Sequence, residues 1–377
     1  MNKLCYTSLM ANYLFGRIKQ LDVVWIFCGF LAFFVLSVIP QKLEFYSLQN
    51  AVVESLVERH AWGMQGASKS ENENNWFFQN IETHTPQLVF VGDVYPYKNL
   101  WYPAKSYGPQ YAGTLVYAFL YHILGLTFQS HYLLVSTILL IFTSFMLVSS
   151  GGTLTYMAAK YVTGNRLKAL FVSISLVFGS LLTGGINIRN EETFGYWIFI
   201  CVYALTFLPL KHKVWPIVLT LLLYYSVFSL PIVILLMPLG LFRIYQSGGK
   251  NVLKTFILTN ILCIGTIFVH NFLIFGRFVF SNYTIGEELN PGYRLGQFAF
   301  SWPNWIEKLQ FYFLNPQTSI LTNYPLIILG FTGIWMSKQS TLTKLVTFAT
   351  VLGFAFYITN IGELTGWVGF GSGRYML

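Results

Sequence analysis

The amino-acid sequence predicts an all-α polytopic membrane protein with about nine transmembrane helices. Of its 377 residues, 55% are hydrophobic and only 10% are charged, and the mean hydropathy is +0.56. Soluble domains are typically about 25% charged. Apolar stretches long enough to cross a bilayer recur along the chain, and small groups of basic residues lie between them. That arrangement orients membrane helices, so the net charge of +9 does not indicate a nucleic-acid partner.

The first apolar stretch, "LDVVWIFCGFLAFFVLSVIP", follows Arg17 and Lys19. It is longer than the core of a signal peptide and has no small-residue cleavage site. We therefore expect an uncleaved first helix with the N-terminus in the cytoplasm. The cysteines (Cys5, Cys28, Cys201 and Cys263) lie in or near apolar stretches or in the N-terminal segment, and nothing indicates a disulfide framework.

The segment "YPAKSYGPQYAGTLVYAFLYHILG" decides which later loops face which side. If residues 111–126 crossed the membrane, the basic loops that follow would lie outside. If the segment lies along the outer interface, all of those loops are cytoplasmic, as the positive-inside rule favours. Four tyrosines and a histidine suit a helix at headgroup level: Tyr107, Tyr111, Tyr117, Tyr121 and His122. An ordinary spanning helix with aromatic belts is the alternative.

The interfacial assignment gives a single transmembrane domain over residues 1–377. The predicted spans are 21–40, 131–158, 167–185, 193–210, 214–229, 231–245, 253–276, 323–337 and 342–361. Residues 41–130 form a first outer loop with juxtamembrane helices, residues 277–322 form a second large outer loop, and no soluble C-terminal domain is expected. A tight hairpin or a broken helix is expected at Pro231.

Two pieces of the first outer loop have a local pattern. "FYSLQNAVVESLVERHAWGM" has apolar residues at helical spacing and charges at 54, 58 and 59, which predicts an amphipathic helix lying on the membrane. "QLVFVGDVYPY" reads as a short extended piece that carries Asp93.

Five charged residues on the outer side are candidate site residues. Glu44 and Asp93 are the catalytic candidates, because a carboxylate at headgroup level can act as a general base toward an acceptor hydroxyl. Lys105, Arg189 and Arg374 are the candidates for binding a phosphate. The alternatives are a solvated interfacial acid, a snorkelling cation, and an Arg189 paired with a neighbouring glutamate.

No cofactor or metal is evident in the sequence. The six histidines are scattered, and no two are three or four residues apart. A divalent cation beside a phosphate is chemically reasonable, but no ligand spacing supports one. Nucleotide-binding glycine loops and nucleophile elbows are also absent from the sequence, so ATP-driven transport and soluble-type hydrolysis have no support.

Four segments together resemble the GT-C superfamily of polytopic glycosyltransferases, close to protein O-mannosyltransferases and aminoarabinose transferases. They are "AVVESLVERHAWGM", "NLWYPAKSYGPQYAGTLVYAFLYHILG", "NFLIFGRFVFSNYTIGEE" with "FYFLNPQTSILTNYPLIILGFTGIW", and "GWVGFGSGRYML". The resemblance covers nearly the whole chain. It also implies a juxtamembrane helix over residues 108–125, and relatives continue beyond the arginine segment, so the chain resembles a form truncated at Leu377.

The resemblance implies an inverting transfer of a hexose or pentose from a polyprenyl-phosphate donor to a glycan, lipid or protein acceptor of the cell envelope, at the outer face of the plasma (inner) membrane. Glu44, with Asp93 in reserve, takes the role of base, and Lys105, Arg189 and Arg374 take the role of holding the donor phosphate. The alternatives are a lipid-linked sugar transporter or flippase and an inactive membrane scaffold. A transporter predicts inverted repeats and mid-membrane charges, and the sequence shows neither clearly.

Overall fold

A computed structural model describes residues 20–38, 47–66, 94–98, 100–103, 106–179, 191–208, 214–248, 250–280, 326–337 and 339–359, with isolated positions at 285, 306, 307, 310 and 314. The described residues are mostly helical, as the all-α expectation requires. The helices are α1 (Gln20–Leu36), α2 (Ser47–Glu58), α3 (Gly108–Leu124), α4 (Phe128–Thr163), α5 (Arg166–Gly179), α6 (Glu191–Leu205), α7 (Trp215–Ser229), α8 (Met237–Gly248), α9 (Lys250–Phe275), α10 (Leu326–Met336) and α11 (Thr341–Thr359).

Two helices in the described part of the chain are long and apolar enough to cross a membrane. They are α4 and the segment Ile257–Phe275 of α9, and they coincide with the predicted spans 131–158 and 253–276. Four further apolar helical segments have 10–17 residues: Asp22–Leu36, Thr193–Leu205, Trp215–Ser229 and Thr341–Gly353.

The long helix α4 is delimited by local signals at both ends. The Thr127 hydroxyl accepts a hydrogen bond from the Ser130 N–H and caps its start. Gly164, with a φ of +64°, ends it in the left-handed conformation that favours glycine. One π-helical turn, Ile141–Phe145, interrupts the α-helical hydrogen bonding.

The chain breaks at Pro231, where the sequence predicts a hairpin or a broken helix. Leu230 leaves α7 in an extended conformation, and Pro231–Leu235 forms a short 3₁₀-helix before α8 begins. Proline cannot donate the hydrogen bond that would continue α7, so the predicted break is confirmed.

The core of the bundle is apolar and closely packed. Trp197 of α6 is fully buried against Gly151 of α4. Phe34 of α1 stacks on Phe145, with ring centroids 5.9 Å apart. Because Gly151 has no side chain, the indole ring of Trp197 lies directly on the backbone of α4, which sets the separation of the two helices.

One end of the bundle carries an ion-pair cluster. Asp22, at the start of α1, receives Arg166 Nη2 at 2.6 Å and Lys160 Nζ at 3.4 Å. Lys160 lies in the last turn of α4, and Arg166 begins α5. The cluster therefore joins three helix ends at a single place.

A small antiparallel β-sheet, which the sequence did not predict, lies at the other end. Its strands are β1 (Met64–Gly66), β2 (Val94–Tyr97) and β3 (Leu100–Pro103), in the order β1-β3-β2. The sequence predicts one extended piece here, "QLVFVGDVYPY", which contains β2. Its sheet partners β1 and β3 lie outside that piece. Tyr97 Oη donates to the Phe275 carbonyl at 2.7 Å, so the sheet is attached to the end of α9.

Helices α2 and α3 pack against each other beside this sheet. α2 is a helix, as its period predicts, but its charged positions do not form an exposed face, because every described side chain of α2 is buried or half-buried and Glu54 is only 6% exposed. α3 matches the predicted juxtamembrane helix in its bounds. Its exposed face is apolar: Leu115, Phe119, Ile123 and Leu124.

The tyrosines of the segment predicted to lie at headgroup level pack against the protein. Tyr107 and Tyr117 are buried against protein, Tyr111 and Tyr121 are half-buried, and His122 is exposed. Aromatic residues bury large areas and need a partner for a buried hydroxyl group. Here that partner is the protein itself.

Candidate functional site

The five site residues predicted from the sequence, Glu44, Asp93, Lys105, Arg189 and Arg374, all lie outside the described residues. Described elements begin close to three of them in the sequence. β2 begins directly after Asp93, Ser106 follows Lys105, and α6 begins two residues after Arg189. Strands β2 and β3 lie beside the start of α3, and α6 packs against α3 and against the end of α7. We call this region, at the end of the bundle that carries the sheet, the cleft end.

A small cleft lies at the cleft end, between the start of α3, the end of α7 and the end of α9. It has room for about one water molecule. Its lining is Ser106, Tyr107, Val227, Phe228, Pro231, Ile267, His270, Asn271 and Phe280. The lining combines apolar and aromatic side chains with the polar groups of Ser106, Tyr107, His270 and Asn271.

The turn before α3 is fixed tightly onto α7. The Ser106 hydroxyl donates to the Phe228 carbonyl, and Tyr225 Oη donates to the Gly108 carbonyl at 2.6 Å. A Cβ on Gly108 would lie 2.6 Å from the Ser229 Cα, closer than real side chains approach. Glycine at this position therefore lets α3 start against the α7 backbone, three residues after Lys105 in the sequence.

His270, in the last turns of α9, is enclosed by aromatic rings. The centroids of Tyr107, Tyr111 and Phe228 lie 5.7, 5.6 and 5.1 Å from its ring, each in an edge-to-face arrangement. Tyr107 is fixed in turn, because its hydroxyl donates to the Trp62 carbonyl at 2.6 Å. The imidazole is thereby held in one orientation.

Both ring nitrogens of His270 have hydrogen-bond partners. Nε2 lies 2.5 Å from Tyr111 Oη, and Nδ1 lies 3.1 Å from Asn271 Oδ1. Burial raises the pKa of Tyr111 well above its usual value, against a smaller lowering by the Trp62 side chain. The phenol therefore keeps its proton and donates to Nε2, so Nδ1 carries the hydrogen that Asn271 Oδ1 accepts.

This phenol, imidazole and amide stand in the order of a catalytic triad, but their chemistry points elsewhere. A phenol with a raised pKa is a poor nucleophile or base. The Asn271 amide nitrogen is also engaged, since it donates to the Val279 carbonyl at 2.8 Å. With these atoms partnered, the cluster is suited to holding the cleft wall in place.

A second polar group lies between α2 and α3. Tyr117, which is fully buried, donates its hydroxyl to Glu58, and its oxygen accepts the Phe128 N–H at 3.3 Å. Burial, followed by the hydrogen bond to Glu58, raises the pKa of Tyr117. Nearby, Asn50 Nδ2 donates to Ser136 Oγ at 3.0 Å, so α2 is bonded to both α3 and α4.

Two buried acidic residues were not chosen from the sequence as site residues. Glu54 of α2 is 6% exposed and Glu191, at the start of α6, is 2% exposed. An acidic residue in the first turn suits the dipole of α6. Buried acids are uncommon unless they are paired, and Glu191 is two residues from the predicted site residue Arg189.

The sequence contains faint signals for the groups that were missed. Tyr107 and Tyr111 are four residues apart, the spacing that places both on one face of a helix. His270 and Asn271 are adjacent polar residues in an otherwise apolar stretch, a pattern that indicates a functional or structural contact. Their meeting depends on the packing of α3 against α9, which the sequence pattern does not contain.

In the part of the chain that the structure describes, no three histidine, cysteine, aspartate or glutamate side chains are grouped so that they could hold a metal ion. Comparisons of the chain with protein families, with curated proteins and with solved structures give no match.

Proposed function

We propose that the protein is a polytopic membrane glycosyltransferase of the GT-C type that acts at its cleft end. In this proposal it moves a sugar from a polyprenyl-phosphate donor to a hydroxyl group of a cell-envelope acceptor, outside an inner membrane. The observation that carries the proposal is the aromatic and polar cleft beside Ser106 and Tyr107, which directly follow Lys105 in the sequence.

The surface of the bundle supports a membrane setting with more spans than the two longest helices. Large apolar side chains are exposed along several helices, including the shorter ones: Trp25 and Phe33 on α1, Phe171 on α5, Leu262 on α9, and Leu345 and Leu352 on α11. Apolar surface of this extent is unfavourable in water and suits a lipid environment. The proposal therefore includes all nine predicted spans.

The charge distribution supports an outward cleft. Lys160 and Arg166 lie at the far end of α4, whose first half packs against α3 and the cleft end. At about 1.5 Å per residue, the last turn of α4 is well separated from the start of α3. The positive-inside rule assigns the Lys160 end to the cytoplasm and hence the cleft end to the outside.

The proposed reaction forms a bond from the acceptor oxygen to the anomeric carbon and breaks the bond from that carbon to the phosphate oxygen. Glu44 or Asp93 accepts the hydroxyl proton, and the polyprenyl phosphate leaves with the bonding electrons. Lys105, Arg189 and Arg374 offset the charge of the leaving phosphate. The resemblance to GT-C enzymes supports these roles.

The test uses full-length protein in proteoliposomes with a polyprenyl phosphate that carries a labelled hexose or pentose, and an extract of cell-envelope glycans and lipids as the acceptor. We expect label to enter the acceptor with release of free polyprenyl phosphate. We expect Glu44→Gln or Asp93→Asn to lower the rate by at least about 100-fold, the scale of general base catalysis. Lys105→Gln is expected to weaken donor binding.

Lys98→Gln is the matched control, because Lys98 is an exposed lysine in the turn between β2 and β3. Its rate is expected to stay within about twofold of the parent, as for a surface charge. Full activity in both Glu44→Gln and Asp93→Asn would overturn the mechanism. Movement of the labelled lipid across the bilayer without transfer would favour a transporter, and no activity in any form would favour a scaffold.

A further inference from the structure

A continuous series of hydrogen bonds runs from α3 to the turn after α9. Tyr111 Oη bonds to His270 Nε2, His270 Nδ1 to Asn271 Oδ1, and the Asn271 amide nitrogen to the Val279 carbonyl. We call this series the His270 chain. It connects α3, within the first predicted outer loop, to residues 277–280, where the second predicted outer loop begins.

The His270 chain is shielded from water along most of its length. Asn271 is 2% exposed, Tyr111 is half-buried, and three aromatic rings surround the imidazole. Hydrogen bonds in such a setting are stronger than in water, and a broken one is costly. Loss of one hydrogen bond in the His270 chain is therefore expected to weaken the positioning of the other residues in it.

Residues 276–280 follow α9 and form a short segment that we call the arm. Gly276 can act as its hinge, and the hydrogen bond from Asn271 to Val279 is its latch. Gly276 has a φ of +69° and open space around its Cα, so it can change conformation with little steric cost. Three residues later, the Val279 carbonyl is held by Asn271. The next residue, Phe280, lines the cleft and lies against Phe268.

We propose that His270 is a positioning residue that, through Asn271, latches the arm 276–280 and so sets the width of the cleft. The neutral imidazole accepts from Tyr111 at one nitrogen and donates to Asn271 at the other. This orients the Asn271 amide, so that its oxygen faces His270 and its nitrogen donates to the Val279 carbonyl. The arm is held closed only while the whole His270 chain is in place. The proposal rests on the proposed function only in taking the cleft as the substrate site.

The test measures how fast a cysteine at position 280 is modified. Phe280→Cys is introduced after Cys5, Cys28, Cys201 and Cys263 are replaced, and the protein in nanodiscs is treated with a membrane-impermeant maleimide. We expect Tyr111→Phe, His270→Gln and Asn271→Ala each to raise the labelling rate by about three- to tenfold, as the loss of one hydrogen bond in the latch would. Tyr111→Phe keeps the ring stack and removes only the hydroxyl group, so it is the variant least prone to misfold.

The double variant Tyr111→Phe/His270→Gln is expected to label no faster than the faster single variant, because both act on one latch. Tyr121→Phe and His122→Gln are the matched controls, since both lie on α3 outside the His270 chain, and we expect the parent rate from them. A second reporter, Lys168→Cys at the opposite end, reveals general loosening of the fold and is expected to label at an unchanged rate.

An unchanged rate at position 280 in Tyr111→Phe would overturn the proposal, since Tyr111 contacts the arm only through His270 in the described hydrogen bonds. Equal rate increases at positions 280 and 168 would also overturn it. The labelling needs no substrate, so its outcome is independent of whether the protein transfers a sugar.

Discussion

At the scale of single residues, the tyrosines of α3 show that one residue type suits both a membrane interface and a buried site with a hydrogen-bond partner. An amphipathic ring suits the membrane interface, and the sequence alone gives no reason to choose otherwise. Tyr117 is instead fully buried, with its hydroxyl group shared between Glu58 and the Phe128 N–H. The outcome depends on α2, which packs on this face of α3 and supplies the carboxylate.

Tyr117→Phe is expected to lower the free energy of unfolding by about 1–3 kcal/mol, because it leaves the Phe128 N–H and the Glu58 carboxylate without a partner. The measurement is thermal or denaturant unfolding in detergent. Tyr121→Phe, four residues along α3, is the control and is expected to change the free energy of unfolding by less than about 0.5 kcal/mol. Equal losses for the two variants would contradict the role assigned to Tyr117.

Alkaline pH is expected to destabilise the fold through Tyr111 and Tyr117, whose pKa values are raised by burial. A raised pKa means that the folded state binds the proton more tightly than the unfolded state. The stabilisation is therefore complete below the ordinary pKa of 10.0 and is lost as the pH rises above it. The melting temperature should fall above that pH, and the melting temperature of a Tyr111→Phe/Tyr117→Phe variant should fall less steeply with pH. Equal slopes would contradict the assignment.

At the scale of elements, the helices were predictable and the sheet was not. Each described helix, except α2 and α3, follows from a long apolar stretch, and these stretches locate helices without knowledge of their neighbours. The helical spacing of its apolar residues predicts α2, but it does not predict that α2 is buried on nearly all sides. The sheet pairs Met64–Gly66 with Leu100–Pro103, and such long-range pairing depends on packing rather than on a local pattern.

Gly151→Ala is expected to destabilise the protein by about 1–3 kcal/mol, because a Cβ there would lie 2.5 Å from Trp197 Cε3 and would push α4 and α6 apart. Gly265→Ala is the matched control, a helical glycine in α9 with no atom within 4 Å of its Cβ position. We expect it to be neutral or slightly stabilising, since alanine favours helix. Thermal unfolding in detergent compares them, and similar losses would show that Trp197 does not set the helix spacing.

At the scale of the whole molecule, the two ends of the bundle differ in chemistry. One end joins α1, α4 and α5 through Asp22, Lys160 and Arg166. The other end holds the sheet, α2, α3 and the cleft. The sequence predicts such a polarity from its short basic loops, and Lys160 and Arg166, which flank one of these loops, meet at Asp22.

Asp22→Asn is expected to lower the free energy of unfolding by about 1–3 kcal/mol, because Asp22 and Lys160 are largely buried and removal of one charge leaves the other without a partner. Lys168→Gln is the control, an exposed cation in the same turn region. It is expected to change the stability by less than about 0.5 kcal/mol. Unfolding curves in detergent measure both, and an unaffected Asp22→Asn would mean that the cluster contributes no stability.

Single cysteines at two exposed cationic positions, Arg59 and Lys168, test the orientation of the bundle. In intact cells, an impermeant maleimide is expected to label Arg59→Cys, beside α2, and to label Lys168→Cys only after the membrane is opened. These positions are better reporters than 117, which is fully buried. Labelling of both from outside would mean that residues 108–124 cross the membrane and that the cleft cannot be placed on the outer side with this polarity.

The sequence by itself determined the apolar helices, the break at Pro231 and the separate helix α3, because hydropathy, proline and glycine act locally. The five predicted site residues stay predictions, since Glu44, Asp93, Lys105, Arg189 and Arg374 lie outside the described residues. Only the tertiary structure decided that Tyr111 meets His270 across 159 positions of chain. The physical reason is that a hydrogen bond between distant residues is fixed by how helices pack, and each partner alone looks like an ordinary aromatic or polar residue.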